Sequence, residues 1–247
     1  MKHPTLTILL PTYNEAGNII PLMQKILFIL PQARILVVDD NSPDGTAGLV
    51  RKFIKTKEAN HRVRLIFRTA GRGLTNSLNA GIKAAKSEII AWMDCDFSHP
   101  PEVLPQLLDC LRKGADLALA TRFYEDKRPD GSAPLPVLSI MINSLAEFCF
   151  GSDITDYTTG FLAAKRKVFK NITLKGNYGE YCIDFLVRAK AGGFQIGGIP
   201  YVSPGRRWGK TKTSPDLFTL LRHGAGYFMT ILRLVWTVNL SHTTGRV

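Results

Sequence analysis

Cysteine is sparse in this sequence: Cys95, Cys110, Cys149 and Cys182 lie far apart, and no two of them form a CxxC pair. That spacing argues against a thiolate metal site and fits a reducing, cytoplasmic compartment. The amino terminus, MKHPTLTILLPTYNE, has too short an apolar run for a secretory signal, and its Pro4 and Pro11 suit strand edges. Low-complexity tracts and internal repeats are missing, which leaves an ordinary globular composition with enough chain for a large core. Acidic residues are the other shortage. Against 20 Asp and Glu stand 32 Lys and Arg, a net charge of +12. Such an excess calls for an anionic partner: nucleic acid, a membrane surface or a phosphorylated substrate.

Short apolar runs rich in β-branched residues alternate with longer amphipathic stretches. Strands are expected at Thr5–Leu10, Arg34–Val38, Val63–Arg68, Ile89–Met93, Leu117–Thr121 and Gly193–Ile199. Helices are expected at Glu15–Leu30, Gly45–Lys55, Leu74–Ala85, Pro101–Arg112, Leu138–Phe150 and Glu180–Ala191. This alternation predicts an α/β fold with a mostly parallel sheet flanked by helices, in which ligands sit at the carboxyl ends of the strands. Each of the first four strand ends carries a polar loop: Pro11–Glu15, Asp39–Gly45, Arg68–Gly73 and Asp94–Asp96. Four polar loops on one edge make one site. Nucleic-acid binding fits less well, because the chain carries no recognised binding motif and its cations cluster at strand-end loops.

The most informative stretch is Glu88-Ile-Ile-Ala-Trp-Met-Asp94-Cys-Asp96-Phe-Ser-His-Pro-Pro. An apolar strand ends in two carboxylates one residue apart, and alternation along an extended chain puts both on one side, within reach of one hard cation. Two carboxylates fill only part of the shell of Mg²⁺ or Mn²⁺, leaving room for substrate phosphate oxygens. A capping role in a strand-to-helix turn is the alternative for a DxD pair standing alone. In the loop DDNSPDGT, capping is enough to explain Asn41, Ser42 and Asp44. Asp39 and Asp40 are adjacent carboxylates that repel, so one of them, Asp40 foremost, is expected to accept a hydrogen bond from a ligand such as a nucleobase N–H. The loop RTAGRGL brings Arg68, Arg72 and glycines, Gly73 among them, to a helix start. There, free amides and arginines favour a diphosphate, although a solvated basic turn would look the same.

Taken in order, LPTYNE, VVDDNSPDGT, the GRGL block, MDCDFSHPPE, ATRF and GRRWGKTK resemble family-2 inverting glycosyltransferases of the GT-A fold, and most nearly the polyprenyl (dolichyl) phosphate mannosyltransferases and their glucosyl relatives. The resemblance covers about residues 5 to 213. It implies a GT-A, Rossmann-like catalytic domain over residues 1–213 that binds a nucleotide sugar, GDP-mannose ahead of UDP-glucose, with Mg²⁺ or Mn²⁺. It further implies that Asp40, with Asp39 behind it, grips the nucleoside, and that Pro11, Tyr13 and Glu15 add nucleotide contacts. Asp94 and Asp96 would hold the metal on the donor diphosphate, with Ser98 at a third position. Arg206, Gly209, Thr211 and Lys212 match an RxxGxSK element that serves phosphates together with Arg122, and Asp156 matches an element beside the acceptor.

The implied acceptor is a polyprenyl phosphate. A hydroxyl acceptor on a glycan or lipid, the alternative, needs a general base, whereas a phosphate monoester is already anionic and needs only positioning and charge neutralisation. Glu180 or Asp184 is the candidate base for a hydroxyl; helix capping and salt bridges are their other reading. From Leu217 to Leu240 the chain is mostly apolar, interrupted by Arg222, His223 and Arg233. Eleven residues apart, Arg222 and Arg233 are expected on one helical face, opposite Leu220, Leu221, Phe228, Ile231, Val235 and Val238. A spanning helix would bury Arg233 in hydrocarbon, so residues 214–247 are expected to form an interfacial helix with its arginines toward headgroups, a helix packed on the core or a partner being the alternative. With no spanning helix following, the lipid would be met peripherally, on the cytosolic face of a membrane or beside a separate membrane subunit.

Overall fold

A computed structural model describes residues 5–59, 61–123, 137–207 and 217–244, with the side chains of 217–221 and 238–244 outside the description. Seven strands form one sheet in the order β3-β2-β1-β4-β6-β5-β7. They are β1 Leu6–Thr12, β2 Arg34–Asp39, β3 Val63–Phe67, β4 Ile89–Trp92, β5 Leu117–Thr121, β6 Leu162–Lys165 and β7 Ile196–Pro200. Among the described residues, seven α-helices accompany them: α1 Ile19–Ile29, α2 Thr46–Ile54, α3 Leu74–Ala84, α4 Leu104–Arg112, α5 Val137–Phe150, α6 Tyr181–Ala191 and α7 Leu217–Thr244.

The six expected strands and six expected helices are all present, with ends shifted by a few residues. Alternation sorts each strand between two cores. Ile8, Leu10, Ile35 and Val37 face the layer of α1, α2 and α4, while Leu9, Leu36 and Val38 face that of α3, α5, α6 and α7. Because both faces are covered, the strands are continuous apolar runs, as a parallel sheet requires. Helix α3 lies especially close to the sheet. A Cβ on Gly81 would stand 3.1 Å from the Leu9 methyls and 3.3 Å from a Val38 methyl, so glycine sets this approach.

Strand β6 was not anticipated. Its Leu-Ala-Ala-Lys sequence is short and made of good helix formers, yet it pairs antiparallel with both β4 and β5. The other pairings are parallel. Running backwards, β6 brings its preceding loop, Asp156–Phe161, to the edge where the parallel strands end. That edge also receives the loops after β1, β2, β3, β4 and β7.

Helix α7 departs from the expected amphipathic pattern. Ile231 and Leu234 are buried and Val235 is half-buried against α5 and α6, while Phe228, Met229, Leu232 and Trp236 are exposed. The helix thus has two apolar sides, one packed and one open. Arg233 does not point toward headgroups: it pairs with buried Asp184 of α6 at 2.7 Å. The expected positions Leu220, Leu221 and Val238 lie outside the described side chains. Among the described residues no helix is long and apolar enough to cross a membrane.

Candidate active site

The loops after β1 and β2 are stitched together by short polar side chains. Asn14 N–H donates to Ser42 Oγ at 3.0 Å, Glu15 N–H to Thr46 Oγ1 at 3.0 Å, and Ala16 N–H to Asp44 Oδ2 at 2.9 Å. Asn14 and Asn41 take the left-handed conformation at φ +57° and +58°, which asparagine tolerates best among residues with a side chain. Asp39, fully buried, accepts hydrogen bonds from Thr12 Oγ1, Ser42 N–H and Ser42 Oγ. Its repulsion with Asp40 is therefore relieved inside the loop. Asp40 is answered by Arg68, whose Nη1 donates to Oδ1 at 2.5 Å, and by Gly73 N–H, which donates to Oδ2 at 2.8 Å. Asp40 thus ties the third loop to the second, and Arg68, expected with Arg72 to face a diphosphate, is instead its partner.

The DxD pair does not lie on an extended strand. Strand β4 ends at Trp92, and Asp94 and Asp96 sit in the turn that follows, with Phe97 at φ +68°. The turn, rather than strand alternation, brings the two carboxylates to one concavity of about 330 Å³. Its walls also carry Pro11, Tyr13, Glu15, Asp40, Arg72, Gly73 and Arg206, and on the far side Asn177 and Tyr178. Arg72 stacks over the Tyr13 ring at 3.7 Å, which places a cation at the mouth.

Electrostatics divides the two carboxyls. The Asp94 pKa is raised: crowding by surrounding protein takes part of its water, though the side chain stays half-exposed, and Asp96 and Glu15 push the same way, against His99 and Arg206. Asp96 is also desolvated, but hydrogen bonds from Ser98 and the charge of Arg206 outweigh this and hold it below the usual carboxylate range. Ser98 gives Asp96 Oδ1 both its N–H, at 3.0 Å, and its hydroxyl, at 2.6 Å. Arg206 Nη2 lies 2.9 Å from Asp96 Oδ2 and Nη1 lies 3.4 Å from Glu15 Oε1. The loop bearing Arg206 is fixed by Arg207 N–H, which donates to the Asp96 carbonyl at 2.9 Å. His99, buried and stacked on Phe161, accepts the Asp94 N–H at Nδ1 (2.9 Å). Burial keeps this imidazole below its ordinary pKa, so the proton belongs on Nε2, 3.9 Å from Asp94 Oδ2. The histidine of SHPP thus positions Asp94, a role that no spacing rule could assign.

Arg122 and Asp156, both expected at the acceptor, are brought to each other. Arg122 Nε and Nη2 form a two-pronged pair with fully buried Asp156 at 2.8 and 3.0 Å, and Nη2 also donates to Thr158 Oγ1 at 2.7 Å. Removing one member of such a pair strands a buried charge, at a cost of about 3–5 kcal/mol. Glu180 accepts the N–H groups of Asn177 and Tyr178 at 2.7 and 3.1 Å, and Asp184 is held by Arg188 and Arg233. Neither carboxylate lines the concavity. Thr211 and Lys212 lie outside the described residues.

Asp94 and Asp96 offer hard oxygen donors to a divalent cation. No group of three or more His, Cys, Asp or Glu among the described residues has the arrangement of a metal cage. A Mg²⁺ or Mn²⁺ ion would complete its shell from water or a bound phosphate, which fits the donors present.

Residues 7–173 match the model of Glycosyl transferase family 2. The chain belongs to that family, and it is a glycosyltransferase of GT-A fold. A polyprenol monophosphomannose synthase of Mycolicibacterium smegmatis is 34% identical over 218 residues, covering 84% of this chain and 80% of that protein. A dolichol-phosphate mannosyltransferase of Pyrococcus furiosus is 29% identical over 227 residues, 88% of this chain but 62% of the longer relative. In fold, the chain is similar to glucosyl-3-phosphoglycerate synthase from Mycobacterium tuberculosis, solved in complex with Mn²⁺, UDP-glucose and phosphoglyceric acid. The TM-score is 0.70 at 17% identity, covering 94% of this chain and 80% of that one.

Proposed function

We propose that this glycosyltransferase moves a sugar, with inversion, from a nucleotide sugar to a polyprenyl phosphate, GDP-mannose being favoured over UDP-glucose. One observation carries the reading: carboxylates and arginines from separate strand ends meet in a single concavity, with Asp94, Asp96 and Glu15 facing Arg72 and Arg206. Two relatives of 34% and 29% identity that are named for transfer to polyprenol or dolichol phosphate support the choice of acceptor.

In this reading Asp40, Tyr13 and the Arg72–Gly73 segment bind the nucleotide, and Asp94 and Asp96 hold Mg²⁺ or Mn²⁺. The ion supplies charge stabilisation at the diphosphate as it leaves. Arg206 neutralises the acceptor phosphate, a task that the sequence resemblance also gives to Arg122, Thr211 and Lys212. An acceptor phosphate oxygen forms the new bond to the anomeric carbon as the bond to the nucleoside diphosphate breaks, and the negative charge passes to the diphosphate. A doubly ionised acceptor has no proton to surrender, so no general base is required. The engagement of Glu180 with backbone N–H groups and of Asp184 with two arginines supports this over a hydroxyl acceptor.

A lipid acceptor also suits the exposed apolar residues of two neighbouring helices, Met141 and Phe148 on α5 and Phe228, Met229, Leu232 and Trp236 on α7. Together with the net charge of +12, they favour peripheral residence at an anionic cytosolic membrane surface. Calorimetry with GDP-mannose, UDP-glucose and UDP-GlcNAc tests the donor. Binding of GDP-mannose that strengthens at least about tenfold with Mn²⁺ is expected, because Asp94 and Asp96 would hold the ion and it would offset the diphosphate charge. Equal affinities with and without metal would refute the role given to Asp94 and Asp96.

A further inference from the structure

We infer that helix α7 buttresses the nucleotide pocket from behind its lining, with His223 and Tyr227 acting as positioning residues for the pocket wall at Asn177 and Tyr178. Sequence patterning gives this helix surface residence, or packing on the core, and no part in the site. Its inner side says otherwise. The His223 ring stacks on Tyr178 with centroids 4.1 Å apart and planes within 1° of parallel. Tyr227 lies against the next residue: a Cβ on Gly179 would stand 2.0 Å from its hydroxyl oxygen. Gly179 is therefore bare because Tyr227 fills the place of its side chain.

The wall has a second support. The Glu180 carboxylate holds the N–H groups of both Asn177 and Tyr178, and Gly176 enters the turn at φ +125°, a conformation that residues with a side chain avoid. That carboxylate also lies against α7, since a Cβ on Gly226 would stand 4.0 Å from it, so the segment from Gly176 to Glu180 is held both by its own capping carboxylate and by α7. Two further contacts fix the helix at this height, independently of the stack. Arg233 pairs with Asp184, one turn into α6, and Ile231 and Leu234 are buried in the core shared with α6. Removing the His223 ring or displacing Tyr227 would weaken the support from α7 while leaving these anchors in place.

The consequence for binding rests on the reading of the concavity as a nucleotide site; the support itself does not. The test uses the full-length protein with His223→Ala, His223→Phe, Tyr227→Ala, Gly179→Ala and the Gly179→Ala/Tyr227→Ala double variant. Amide hydrogen exchange of the 176–180 segment, without ligand, should speed up about two- to tenfold in His223→Ala, the range of one aromatic pair, and return to the wild-type rate in His223→Phe, which keeps a stacking ring. Affinity for GDP with Mn²⁺ should fall by a similar factor in His223→Ala and in Gly179→Ala. Once Tyr227 is alanine, adding Gly179→Ala should cost nothing further, because the clash is gone. Unchanged exchange in His223→Ala, equal disturbance in His223→Phe, or additive effects of Gly179→Ala and Tyr227→Ala would each overturn the inference. Failure of the wild type to bind GDP would refute the nucleotide reading alone, since the exchange measurements still decide whether α7 holds the wall.

Discussion

Asp96→Ala should abolish turnover while leaving the fold intact. Asp96 carries the lower pKa of the pair, faces the concavity and accepts two hydrogen bonds from Ser98 that aim its carboxylate. A divalent cation on a leaving diphosphate contributes several kcal/mol of charge stabilisation, so losing its ligand should slow transfer by at least about a thousandfold. The cost in stability should be modest, about 1–3 kcal/mol, because Arg206 loses one buried partner but keeps Glu15. Steady-state kinetics at saturating donor, with a thermal melt as control, separates the effects. Near-wild-type activity would return the DxD pair to a capping role.

Arg206→Ala should damage acceptor use and spare the donor. Its guanidinium lies between Asp96 and Glu15, where it supplies the positive charge that these carboxylates need in the absence of a cation. A charge-assisted contact in a partly desolvated site is worth about 1.5–3 kcal/mol, so kcat/KM for polyprenyl phosphate should fall roughly ten- to a hundredfold. Affinity for nucleotide sugar with Mn²⁺ should hold or rise, since the competing cation is gone. Glu180→Gln, assayed beside it, should affect the loop at Asn177 and Tyr178 rather than supply or remove a base. A silent Arg206→Ala on the lipid phosphate would refute the acceptor assignment.

Much of the fold was legible because burial on both faces makes the strands of a parallel sheet uninterrupted apolar runs, bounded here by polar loops. Strand β6 escaped because Leu-Ala-Ala-Lys carries no β signal; its place is set by the gap between β4 and β5. The loops of the site were legible as a group, since each follows a strand end, but their internal pairings were not. Asp39 and Asp40 look alike in sequence, yet one is sealed by Thr12 and Ser42 and the other meets Arg68 and Gly73. Arg122 and Asp156, thirty-four residues apart, form a buried pair that only the reversed strand brings together. The DxD carboxylates converge through a turn containing a left-handed Phe97, a conformation that strand periodicity does not encode. The sequence of helix α7 leaves open whether its apolar residues meet the core or a surface, because a one-dimensional pattern does not show that one side packs on α5 and α6 while the other stays exposed.

The most direct test of lipid-phosphate transfer is an assay with purified protein, labelled GDP-mannose and Mn²⁺, offering a polyprenyl phosphate, the same polyprenol without its phosphate, and a glycan hydroxyl acceptor side by side. Labelled mannose should appear on the polyprenyl phosphate alone, with its anomeric configuration inverted and with GDP released in equal amount. Transfer to the glycan or the free polyprenol, with none to the phosphate, would contradict the reading of the site as a cationic phosphate-acceptor centre without a general base.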